Sequence, residues 1–121
     1  MKLLSETNYK TYKNHRQEPY FTFLKQGLKY IEGRLEKGLY AQVSKGDHIH
    51  VYSVDEKESV EVVVLGVRKY SSFLAMLQVE PFKKVLPDVD TPEEGVSKYR
   101  EFYSKENEVK YGVVAIEVTL V

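Results

Sequence analysis

The sequence predicts a mixed α+β domain whose strands form a small, partly closed barrel. Two observations carry this. Segments with helical and strand patterns follow one another in the order helix, several strands, helices, final strand, which is an α+β arrangement. The last of them, "YGVVAIEVTLV" at 111–121, has no neighbouring strand in the sequence and must pair with a distant one. A chain of 121 residues fits one domain spanning 1–121 and is long enough to bury a single core.

Each element has a local reason. "PYFTFLKQ", 19–26, opens on a proline and carries Tyr20, Phe23 and Leu24 at helical spacing, with Gly27 just past its end; that asymmetry predicts a short helix. "KYIEGRL", 29–35, reads as a strand, and Gly33 inside it predicts a bulge or a close approach by another group. Lys45-Gly46-Asp47 turns into a strand at 48–54, where Ile49 and Val51 alternate with polar neighbours. "SVEVVVLGVRKY", 59–70, is strongly β-branched and reads as a long buried strand. The two form a hairpin across Asp55–Glu58. Ser71 or Ser72 caps a helix at 72–79 that shows Phe73, Met76 and Leu77 on one face. "PFKKVLP" is a single helical turn between prolines. Thr91 caps a helix at 92–103, with Pro92 at its first position and Glu93 and Glu94 in its first turn. Val96, Tyr99, Phe102 and Tyr103 make its apolar stripe. The closing run at 111–121 predicts a central strand covered on both faces. These helices are expected outside the barrel.

Composition excludes several classes. With 42% apolar and 30% charged residues the chain is globular and not disordered. It has no cysteine, so thiol catalysis, a zinc ribbon and a disulfide framework are excluded. "MKLLSETNYK" has only two consecutive leucines, too few for a signal peptide or a membrane span, and a cytoplasmic protein is expected. The net charge is zero, but residues 1–45 carry nine Lys/Arg against four Glu, and the rest nine against fourteen acidic residues. A uniform basic face for a DNA duplex is therefore not expected, while a local basic patch from the N-terminal half remains open.

Motifs for metals and nucleotide phosphates are weak or absent. His48 and His50 share a strand face at a metal-ligand spacing, but only His15 is left as a third ligand of that kind, so two solvated polar residues are the simpler reading. There is no GxSxG, GxxxxGK[ST] or GxGxxG. No metal or cofactor is expected. Tyrosine is over-used, ten against five Phe and no Trp, and Tyr103 and Tyr111 flank a polar segment, 104–110, where they are placed to border a cleft.

"GLKYIEGRL", 27–35, is the most informative stretch. Glu32 and Arg34 share one strand face, opposite Ile31 and Leu35. They are either a surface salt bridge of little worth or the lining of a pocket. Gly27 fixes the corner, Lys29 stands at its mouth, and Gly33 leaves room for a ligand. A carboxylate between two cations suits a nucleobase amide edge or an acyl-amide group. A pocket charge of this kind is expected to serve function with little share in stability.

The stretch resembles the G-x-K-x-x-E-x-R signature of the ASCH domain, a branch of the PUA-like superfamily. "KGDHIHV", "VRKYSSFLAMLQVEPFKKVLPD" and "TPEEGVSKYREFYSKENEVKYGVVAIEV" resemble further family segments in order, over residues 8 to 121. The resemblance implies a PUA-like partly closed β-barrel with flanking helices, and RNA or nucleoside binding. Gly27, Lys29, Glu32 and Arg34 match the motif, and Ser72, Phe73 and Tyr103 match accessory positions. One branch of the family consists of amidohydrolases that deacetylate N4-acetylcytidine with a lysine, a threonine and a glutamate. Lys29 stands at the lysine position, but Glu32 replaces the threonine, and Glu80 is the candidate for the third role. A structural or protein-interaction domain with an empty cleft is one open reading. Two others carry chemistry. One is a module that binds RNA or a modified nucleoside. The other is an amidohydrolase or RNA-processing nuclease using Lys29 and Glu32. The charge state of Lys29 separates them, because a catalytic base needs its pKa lowered.

Overall fold

The computed structural model of the chain describes residues 8–121; the start of the segment read above for a signal peptide, residues 1–7, lies outside them. Five strands form one mixed sheet: β1 (Thr11–Arg16), β2 (Ile31–Leu35), β3 (His48–Ser53), β4 (Ser59–Tyr70) and β5 (Val113–Leu120). Their spatial order is β1-β3-β4-β5-β2, so β1 and β2 are the two edges. Only the β1–β3 pair is parallel. The sheet curls into a half-barrel with flanking helices, the α+β fold expected.

The central position of β5 follows from its composition. Val113, Val114, Ala115 and Ile116 are all fully buried, because both faces of the strand are covered. Toward one face Val114, Ile116 and Val118 join Ile49, Val51, Val62 and Val64 in an inner cluster. Toward the other, Val113 and Ala115 join Ile31, Leu35 and the apolar stripes of α2 (Phe73–Val79), α3 (Phe82–Val85) and α4 (Pro92–Arg100). Caps hold these helices as expected: Ser72 Oγ accepts from Ala75 N and Thr91 Oγ1 from Glu94 N, both at 3.0 Å.

Four features differ from expectation. The helix α1 (Tyr20–Lys25) does not lie outside the barrel; Phe21 and Leu24 plug its inner cluster. Of the two expectations for Gly33 the close approach holds, by Tyr99, and the bulge does not; the irregular register falls between Val64 and Gly66 of β4. The segment expected to be merely polar forms a fifth helix, α5 (Lys105–Tyr111), capped by Ser104 Oγ on Asn107 N. Finally β1 was not legible as a strand. Its inward residues Tyr12, Asn14 and Arg16 are polar, so no apolar alternation marks it.

Candidate functional site: a cationic cleft at the barrel seam

The two edge strands approach each other at one end of the half-barrel, and side chains close the gap. Arg16, the last residue of β1, forms an ion pair through Nη1 with Glu32 Oε2 of β2. Cross-strand pairing sets the face: Glu32 opposes Ile116 and Arg34 opposes Val114, so both point inward, above the inner cluster.

Glu32 is a hub. Its Oε1 lies 3.7 Å from Lys29 Nζ and 3.5 Å from Arg34 Nε. Burial alone would raise its pKa, but Arg16, Lys29 and Arg34 outweigh burial and lower it to about 2. Lys29 is 3% exposed, and its ammonium donates to the carbonyls of Ile31 and Val85. Burial lowers its pKa, Glu32 opposes, and the neighbouring Arg16 and Arg34 add to the lowering, for a value of about 8. Burial is the largest influence on Arg34 and works against its charge, yet Glu32, Tyr40 and Tyr103 together outweigh it and raise that group further. Arg34 lies over the Tyr40 ring at 4.8 Å. At neutral pH the hub therefore holds three cations and one carboxylate.

A cavity of about 270 Å³ opens on this hub. Tyr20, Tyr99, Phe102 and Tyr103 wall it, and Lys98 stands at its edge. Tyr99 and Tyr103 are held by stacking on the buried Phe73, at 4.2 and 5.5 Å. Two buried polar atoms around the hub have no hydrogen-bond partner among the described residues: Arg16 Nε and Tyr99 Oη.

Of the residues singled out from sequence, Lys29, Glu32, Arg34 and Tyr103 come together in this cleft. Others do not. Gly27 takes a positive φ of 78° after α1 and turns the chain toward Lys29; it borders a separate cavity, with Leu65 and Leu120. Ser72 is engaged in capping α2. Glu80, the candidate third catalytic group, is a correction: it accepts from Arg68 Nε and Nη2 at 2.7 and 2.9 Å and from the Tyr70 hydroxyl, and it does not line the cleft. Tyr111 lies beneath Lys37 and Lys110, also outside the cleft. Nor does Gly33 leave room for a ligand. A Cβ there would meet Tyr99 Oη at 2.4 Å and the Met76 methyl at 2.8 Å, so the missing side chain admits Tyr99.

His48 and His50 lie on the outer face, the first with Glu61 and the second stacked on Tyr52. Among the described residues no group of three or more His, Asp or Glu is placed to hold a metal ion. No helix of the described residues is long and apolar enough to cross a membrane.

Sequence reasoning missed Arg16 and the role of Tyr99. Arg16 sits in a strand without an apolar pattern, and its closeness to Glu32 depends on the curl of the sheet. Tyr99 was visible only as one member of a helical stripe.

Comparison with known proteins agrees with this architecture. The family model for the ASCH domain matches residues 15–121. The chain is similar to the hypothetical protein PH0355, at 44% identity and a TM-score of 0.83 over 92% of this chain and 99% of that one. It is also similar to the protein PF0455 from Pyrococcus furiosus, at 38% identity and a TM-score of 0.74 over 92% of this chain and 97% of that one. An ASCH domain from Lactobacillus crispatus JV V101 shares the fold at 17% identity, with a TM-score of 0.67 over 96% of this chain and 82% of that one. No curated protein matches the chain.

Proposed function

The chain belongs to the ASCH domain family, and on that premise we propose that it is a binding module that holds RNA or a modified nucleoside in the cleft around Lys29, Glu32 and Arg34. One observation carries the proposal: two buried cations, Arg16 and Lys29, and the partly buried Arg34 gather on a single carboxylate that lines an aromatic-walled cavity. Burying such charge is unfavourable unless it is paired or used. Tyrosine rings offer faces for a base to stack on, and Arg34 offers a fork for carbonyl or phosphate oxygens. At about 270 Å³ the cavity suits one nucleoside unit.

A second reading has its own support. The lowering of Lys29 to about 8 is what a lysine base requires. Against it, the Lys29 ammonium already faces three acceptors, the carbonyls of Ile31 and Val85 and the Glu32 carboxylate. With a pKa of about 8 the group is still mostly charged at neutral pH, no threonine is among the described residues lining the cleft, and Glu80, the candidate for the glutamate, lies outside it. Binding is therefore the stronger reading. The test is a thermal-shift screen of short single-stranded RNAs and modified nucleosides, with turnover of N4-acetylcytidine followed in parallel. Stabilisation without turnover supports the module. Turnover would move the protein into the enzyme class.

A further inference from the structure

The charges of the cleft do not balance. Four cationic side chains line it, Arg16, Lys29, Arg34 and Lys98, against one carboxylate, Glu32. Glu32 is fully engaged: one oxygen faces Arg16, the other Lys29 and Arg34. Lys29 is turned inward on two carbonyls. Counting only the buried hub, three cations against one carboxylate leave an excess of two positive charges. Two donors remain for a ligand. Arg34 uses Nε on Glu32 and keeps its terminal fork beside Tyr103, and Lys98 is half-buried at the edge of the same cavity.

A neutral nucleoside would cover these cations without offsetting them. It would remove water from them and supply no counter-charge, which is costly. A phosphomonoester brings a charge of about −1.5 to −2 at neutral pH and three acceptor oxygens, which matches the excess. An internal phosphodiester brings only one. Among the described residues that line the cavity, Glu32 is the only acidic one, so no second carboxylate stands to repel a phosphate.

We infer that the ligand of this cleft is a nucleoside bearing a terminal phosphate, its oxyanion on Arg34 and Lys98 and its base against the Tyr20, Tyr99 and Tyr103 wall. The inference rests on the nucleoside-binding reading above and narrows it. Two sources share the chemistry, a free nucleoside monophosphate and the phosphorylated end of an RNA strand.

Calorimetric titration at low ionic strength tests it. The probes are the four ribonucleosides, their 5′- and 3′-monophosphates, inorganic phosphate, and tetranucleotides with and without a terminal phosphate. At least one monophosphate or phosphorylated tetranucleotide should bind about tenfold or more tightly than its unphosphorylated counterpart. That gap should shrink in Arg34→Ala and in Lys98→Ala; the second changes a half-exposed side chain and spares the fold. Preference for the mononucleotide or for the tetranucleotide identifies the source. Equal binding with and without phosphate overturns the inference and leaves the nucleoside reading standing. Inorganic phosphate binding as tightly as the nucleotides also overturns it, because the base then contributes nothing. If no nucleoside, nucleotide or oligomer binds, the underlying reading falls with it.

Discussion

The Arg16 guanidinium and the Glu32 carboxylate meet across the line where the two edge strands of the half-barrel face each other, and both residues are buried. The same pair forms the back of the candidate cleft. On the proposed reading, stability and ligand recognition are coupled at one contact, which shapes the expected behaviour of variants.

Replacing Arg16 with methionine should destabilise the protein by about 1–3 kcal/mol, since Glu32 Oε2 loses its partner while Lys29 and Arg34 still face Oε1. The urea midpoint should fall with an unchanged denaturant slope. A shift below about 1 kcal/mol would mean that solvent reaches the pair.

Glu32→Gln was expected to weaken binding with little effect on stability. The hub changes that expectation. Glu32 sits at about 2, below its ordinary 4.5, so its folded form holds the proton less tightly than the unfolded chain. Its stabilisation is complete above 4.5 and disappears as pH falls toward 2. The amount is about 3 kcal/mol. Glu32→Gln should therefore be less stable at pH 7 and should show a flatter acid limb than the wild type in urea titrations between pH 5 and 2.

Lys29 has the opposite sign. Its pKa of about 8 is below the ordinary 10.5, so between those values the unfolded chain binds more protons. From this group, stability rises with pH across the window, and the unfavourable contribution is complete below pH 8. Lys29→Met should remove that slope in unfolding curves at pH 7.5 to 10. For function, Lys29→Ala should reduce affinity moderately with a marked salt dependence. Wild-type deacetylation of N4-acetylcytidine, lost in Lys29→Ala while substrate still binds, would identify an enzyme instead.

Arg34→Ala should weaken binding of the cleft's ligand by about 1–3 kcal/mol if the contact is bidentate. Arg34→Lys should not restore it, because an ammonium lacks the planar fork. Full rescue by lysine would mean that charge alone is read.

Gly33→Ala should destabilise, because the new methyl group meets Tyr99 Oη and Met76 within 3 Å. Tyr99→Phe removes that hydroxyl, which has no partner among the described residues. It should leave stability nearly unchanged alone and recover part of the Gly33→Ala loss. A double variant no better than Gly33→Ala would assign the clash to Met76.

Much of this was legible because it is local. Strands β3, β4 and β5 show β-branched or alternating apolar residues, and α2 and α4 show both a cap and a stripe. Lys29, Glu32 and Arg34 fall within six positions, so one strand and its approach bring them together. The open question of the N-terminal charge excess also has an answer: three of its cations, Arg16, Lys29 and Arg34, converge on Glu32. What was hidden is non-local or polar. Arg16 reaches Glu32 only through the parallel pairing of β1 with β3 and the curl of the sheet. The α5 helix is mostly charged, and only Ser104 followed by Glu106 signalled its start. Glu80 was misplaced because its partners Arg68 and Tyr70 lie in β4, and sequence spacing does not reveal that pairing.

A half-barrel fastened this way behaves like a hoop with a clasp. Strand pairing runs unbroken from β1 through β3, β4 and β5 to β2 and stops there. Across the open seam the edges are joined by side chains, Arg16 on Glu32 and Asn14 Nδ2 donating to Tyr40 Oη at 2.9 Å, so a change of girth would strain these clasps and no rung of a ladder. On the proposed reading, a molecule seated there would bear on the spacing of the two edges. Its arrival should be felt by the amides of β1 and β2 as slower hydrogen exchange, while β4 and β5, in the middle of the hoop, stay as protected as before.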